Sequence, residues 1–175
     1  MKVQPQLTDE LRQMASLIEP MSVAMMTTAE ADRGALASRP MSPLEMDASG
    51  AIWFFTDLRS SKVEQLRAVN LAFSDEARAC YISVSGRGEI HSDRSHIERL
   101  WTPFAKPWFP DGPESTNLAL LKVVIDTVEY WDAPNSKMVR MLAMAASVLA
   151  GKPIGLGDHA KHTGMDSSAS VSAAP

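Results

Sequence analysis

The chain has a single cysteine, Cys80, among its 175 residues. No intramolecular disulfide can form, so a reducing compartment is the expected home. Cys80 lies in the apolar-leaning run A-C-Y-I-S-V, where a buried, inert thiol is expected rather than a nucleophile. Long apolar runs are also missing. The longest, residues 141–150, falls well short of the roughly 20 residues that span a bilayer. The opening MKVQPQLTDE lacks the apolar stretch of a signal peptide. A cytoplasmic protein without a membrane partner is expected. Positive charge is not in excess: 17 Lys and Arg face 21 Asp and Glu, for a net charge of −4, and no basic stripe appears. Nucleic acid is thereby excluded as a main partner. No G-x-S-x-G motif occurs, and Ser38, Ser83 and Ser85 have no identifiable base partner. Of the four histidines, His91 and His96 flank Asp93, while His159 and His162 follow Asp158. Without cysteine ligands this spacing is a weak metal signal, so solvated loop histidines are expected and no metal is assigned.

What is present is ordinary for one globular domain: 45% hydrophobic and 22% charged residues. Residues 1–162 are expected to form that domain. Residues 163–175, TGMDSSASVSAAP, have the composition of a disordered tail. Thr8 can cap a helix whose stripe is Leu11, Met14, Ala15 and Ile18. Strands are predicted at 22–28 and 35–44, joined by a turn at 30–34. Alternation puts Arg39 and Met41 on one face of the second, while Pro40 and Pro43 suggest an edge, a bulge or an early strand end. Further strands are predicted at 51–57, 70–74, 79–85, 118–125 and 127–131. Gly86-Arg87-Gly88 fits either a hairpin turn or a bulge in one longer strand. Asp93 can cap a short helix with Ile97, Leu100 and Trp101. The proline-rich 102–113 segment must then pack its aromatics as an ordered loop. A last helix is predicted from Ser136, striped by Met138, Leu142, Ala145 and Leu149 and apolar beyond one face, either deeply buried or covering a partner subunit. Many short strands with few helices indicate a mainly β protein, a barrel or sandwich with peripheral helices.

The stretch carrying the most chemistry is 38–63. A strand ending at Asp57 leads to Ser60-Ser61-Lys62-Val63-Glu64, whose S-x-x-E form is a capping box. A helix begun there, with Val63, Leu66 and Val69 inward, would offer free N–H groups to an anion. Two hydroxyls, a lysine and the distant Arg39 could hold a phosphate. Equally, Ser61 and Glu64 could simply cap the helix, leaving Lys62 solvated and Arg39 in a surface ion pair.

The motifs R-P-M, W-F-F-T-D, S-S-K-V, Y-I-S-V-S-G, W-T-P-F and E-Y-W-D occur in this order. In that order the chain resembles the FMN-binding split-barrel family related to pyridoxamine 5′-phosphate oxidase, and within it the bacterial general-stress branch. The resemblance covers residues 7–151. It implies a split barrel, a homodimer and a flavin nucleotide at the subunit interface, FMN or, with an open entrance, FAD. It also implies that Gly86–Gly88 continue one kinked strand. By the same resemblance Arg39 reaches the flavin phosphate, with Ser60, Ser61 and Lys62 at the phosphate-binding turn. Phe55 and Thr56 lie beside the ring and ribityl chain, and Pro40 and Met41 face the isoalloxazine. Trp101 and Trp131 match positions that reach the flavin from the other subunit, and Trp108 with Phe109 helps cover the ring. After E-Y-W-D the oxidase carries an arginine and histidine for its substrate phosphate. Here A-P-N-S-K-M-V-R offers only Lys137 and Arg140, so vitamin B6 oxidation is not expected. The resemblance therefore implies an FMN-binding general-stress protein; if it is an enzyme, it is an FMN-dependent oxidoreductase with no assigned catalytic residue. Two alternatives are a non-catalytic flavin-sensing or flavin-buffering stress protein and a split barrel using F420 or haem.

Overall fold

The computed structural model describes residues 1–29, 34–60, 65–132 and 158–163. The expected turn at 30–34, the helix start at Ser61 and the 136–149 helix fall wholly or largely outside the described residues. Among the described residues nine strands form one sheet: β1 (Lys2–Val3), β2 (Ala24–Ala29), β3 (Leu36–Met41), β4 (Glu45–Met46), β5 (Ile52–Asp57), β6 (Val69–Asp75), β7 (Cys80–His91), β8 (Leu118–Asp132) and β9 (Asp158–Thr163). Among the described residues two helices accompany them, α1 (Asp9–Ile18) and α2 (Arg94–Leu100). The strand order is β1-β4-β5-β8-β7-β6-β2-β3, and β9 also pairs with β8.

The sheet divides along β8. Leu120 to Asp132 pair with β7, with one break, but its other edge is shared: Leu118 to Val123 pair with β5, and Thr127 to Asp132 with β9. This is the split barrel, mainly β with peripheral helices. The long strands turn at a bulge. Ser85 pairs with Thr127 but Gly86 with Ile125, leaving Asp126 as the extra residue, held by Arg87 at 3.0 Å. Gly86 is required there, because a Cβ would lie 2.0 Å from the Val124 carbonyl oxygen. Gly86–Gly88 thus belong to one continuous strand, as the resemblance implies, and the two strands expected at 118–125 and 127–131 are one.

Alternation along each strand sorts the side chains. Met26, Phe54, Leu71, Phe73, Val84, Leu121 and Val123 fill the main core, closed by Leu11, Met14, Ala15 and Ile18 of α1. Thr8 caps that helix, accepting from the Leu11 N–H at 3.2 Å. A second cluster lies on the opposite face of β5 and β8, where Ile97 and Leu100 of α2 cover Trp53, Leu118 and Leu120. β5 is therefore buried on both faces, which explains its unbroken apolar run.

Several expectations are corrected. Val69 does not close a helix; residues 65–68 form a turn and Val69 opens β6. The predicted 35–44 strand ends at Met41, and Glu45–Met46 pair separately with β5. β3 is an edge strand, which admits Pro40. In the 102–113 loop only Phe109 packs; Phe104 and Trp108 are 88% and 74% exposed. His91 and His96 are not loop residues: one ends β7, the other lies on α2. β1 and β9 have no counterpart in the sequence reading.

Candidate functional site

On the inner face of edge strand β3 lie Arg39 and Met41, the latter packed against the main core. Arg39 is half-buried. Its Nη2 donates to the Thr28 hydroxyl at 3.1 Å, and that hydroxyl donates to Gln65 Oε1 at 3.2 Å. Thr28 is 1% exposed, on the core parity of β2 after Ala24 and Met26. Among the described residues no carboxylate reaches Arg39, and its hydrogen-bond partner is neutral. A half-buried cation without a counter-charge is an anion site by composition.

Thr56 supplies a second polar group. It sits on β5 in phase with Ile52 and Phe54, is buried, and its hydroxyl has no hydrogen-bond partner among the described residues. A buried hydroxyl left unsatisfied costs about 1–3 kcal/mol, so such groups commonly await a ligand. The chain then turns at Asp57, with Ser60 N–H donating to the Asp57 carbonyl at 3.0 Å. Ser61 and Lys62 lie outside the described residues. They fall in the chain between Ser60 and Gln65, whose amide joins the Arg39 network. Arg39 and Thr56 thus offer a guanidinium and a buried hydroxyl, donor types that suit a phosphate and a polar tail.

The aromatics divide. Phe55 faces away from Thr56, with Trp101 at 5.7 Å and Phe109 at 6.2 Å between ring centroids. Within one protomer Trp101 is thus a packing partner of Phe55. Pro40 is exposed on the outer face of β3, and Trp108 stands in the exposed loop. Trp131 is 43% exposed beside its exposed cross-strand neighbour Tyr81. The outer sheet face between these sites is uncharged over a full row, Ser38–Thr27–Asn70–Ser85–Thr127.

A second polar cluster was not visible in the sequence. Glu45, 2% exposed, accepts from Arg99 at 3.1 Å on Oε1, lies 3.0 Å from Arg99 on Oε2 and accepts from the Gln4 amide. His96 stands 3.7 Å from the same carboxylate and stacks on Trp53 at 4.4 Å, with His91 on that ring at 5.1 Å. Burial pushes the Glu45 pKa up, but the bonds to Arg99, Gln4 and His96 outweigh it and the net shift is downward. This cluster ties α2 and the N-terminal segment to β4. Among the described residues no three His, Cys, Asp or Glu side chains converge as a metal would need. A charged residue within L-E-M, opposite a tryptophan, was the available signal.

The sequence profile of the pyridoxamine 5′-phosphate oxidase like family matches residues 9–154. The chain belongs to this family. Among its relatives, Protein bli-3 of Neurospora crassa is 26% identical over 159 residues, covering 84% of this chain and 76% of that protein. The general stress FMN/FAD binding protein of Xanthomonas citri has 30% sequence identity and a TM-score of 0.61, covering 74% of this chain and 92% of that one. General Stress Protein 26 of Bacillus anthracis has 21% identity and a TM-score of 0.62, covering 70% and 94%. The last shares the fold; the Xanthomonas citri protein is similar in sequence as well.

Proposed function

We propose that the protein is a homodimeric, FMN-binding general-stress protein whose flavin phosphate is held by Arg39, Ser60, Ser61 and Lys62. The observation that carries this reading is the half-buried Arg39, which has no counter-charge among the described residues, seconded by the Thr56 hydroxyl, which has no partner among them. The similarity to a general stress FMN/FAD binding protein supports the same ligand. Pro40, Met41, Phe55 and Thr56 border the ring and ribityl chain. When bound, the flavin supplies hydride or electron transfer, and the chain supplies position, charge and exclusion of water. A cytoplasmic location accords with the lone buried Cys80, and residues 1–162 act as a single domain ahead of the 163–175 tail.

The homodimer is supported by surface: Trp131, which by the resemblance reaches the flavin from the other subunit, is 43% exposed. Trp101 and Trp108 lie on the segment that would approach the same ring. The uncharged outer row and the exposed Met25, Tyr81 and Trp131 suit burial against a copy of themselves.

Equilibrium titration of the cofactor-free protein with FMN, FAD, riboflavin and F420, followed by fluorescence or absorbance, tests this directly. Saturable FMN binding at micromolar levels or tighter is expected. Arg39→Ala together with Lys62→Ala should weaken it by several kcal/mol, since charge-assisted bonds contribute roughly 1.5–3 kcal/mol each. Unchanged FMN affinity in the folded double variant would remove the phosphate assignment.

A further inference from the structure

The Arg39 side chain does not stand alone, and the polarity of its support follows from proton counting. A guanidinium can only donate, so the Thr28 oxygen must receive the Nη2 hydrogen through a lone pair. The single Thr28 hydroxyl proton must then go elsewhere, and Gln65 Oε1 lies 3.2 Å away to accept it. Gln65 thereby turns its amide oxygen toward Thr28 and its NH2 outward. The relay commits one guanidinium hydrogen to a neutral oxygen and leaves the positive charge whole. An aspartate or glutamate at position 28 would hold the arginine as firmly but would cancel the charge that draws an anion.

Resting on the flavin-phosphate reading above, we propose that Thr28 and Gln65 are positioning residues. They orient the Arg39 fork toward the terminal phosphate of the flavin without neutralising it. Two strands and one connection contribute: β3 carries the arginine, β2 its acceptor, and the turn after the 61–64 segment the terminal amide. The burial of Thr28 protects the relay from water, so its hydroxyl is not free to exchange partners.

The test compares FMN with riboflavin, which differs only by lacking the phosphate. Titrations use the cofactor-free full chain as wild type, Thr28→Val, Thr28→Ser and Gln65→Leu. Wild type should prefer FMN. In Thr28→Val that preference should fall by roughly tenfold, the size of one charge-assisted bond, while riboflavin affinity stays unchanged. Thr28→Ser should restore it, and Gln65→Leu should lose part of it. Equal binding of FMN and riboflavin by wild type would sink the phosphate reading itself. A wild type that prefers FMN, with Thr28→Val retaining the full preference, would overturn the positioning role alone. Gln65 is only half-buried, so Gln65→Leu gives the same readout should Thr28→Val fail to fold; an unchanged preference there overturns the relay. A uniform loss of both ligands in Thr28→Val or Gln65→Leu would mark a merely structural role.

Discussion

Single residues in this protein acquire meaning from what they lack as much as from what they touch. Among the described residues Arg39 has no carboxylate and the Thr56 hydroxyl no partner, and these two features mark the candidate flavin site. Glu45 is the opposite case, a buried carboxylate surrounded by donors. Its folded pKa lies below the ordinary 4.5, so the folded state favours the ionised form. Stability from Glu45 is accordingly complete above about pH 4.5 and is lost as pH falls through the lower folded value. Glu45→Gln should lower stability at pH 7 by about 1–3 kcal/mol and flatten the acid limb of a denaturation-midpoint profile against pH. An acid limb unchanged from wild type would show that another carboxylate governs it. Thr28 was readable in part: in A-M-M-T-T it falls on the core parity of Ala24 and Met26, and a hydroxyl there needs a partner. That the partner is Arg39 depends on strand pairing, which no local pattern encodes.

Among the elements, the long pair β7 and β8 bears the fold's main irregularity. Asp126 is inserted opposite the Ser85–Gly86 step, and Gly86 lets the strands come close enough for the bend. Gly86→Ala places a methyl against backbone that cannot yield, so several kcal/mol of destabilisation, or failure to fold, is expected. Gly112→Ala meets nothing within 4 Å and should cost only about 1 kcal/mol through its positive φ. Urea unfolding of the two variants should separate them clearly; equal midpoints would contradict the close approach at Gly86. Helix α1 was legible to the residue because its cap and stripe are local signals. β1 and β9 were not, since a two-residue strand and the polar run D-H-A-K-H-T owe their pairing to neighbours distant in sequence.

At the scale of the whole molecule, the exposed Met25, Tyr81 and Trp131 and the uncharged outer row form the surface through which two copies are proposed to pair. The proposed dimer should sediment as twice the chain mass at micromolar concentration. Tyr81→Lys combined with Met25→Lys, on the uncharged outer face, should yield folded monomers that have also lost FMN. Monomers retaining full FMN affinity would show that each protomer holds a complete site. Phe104 and Trp108 belong to the same question, because their exposure leaves two aromatic side chains without apolar cover in the single protomer.

The sequence by itself determined the strand-rich class, the caps of both helices, the inward parity of Arg39 and Met41, and membership of a family recognisable from six ordered motifs. Each is a local or linear property, set by side-chain period, turn chemistry or motif order. Tertiary structure alone decided that β8 is one strand shared by two neighbours, that Glu45 is buried among Arg99, Gln4 and His96, and that Arg39 rests on Thr28 and Gln65. Those side-chain contacts join residues 11 to 54 positions apart, and only the packing of strands, α2 and turns against one another brings them together.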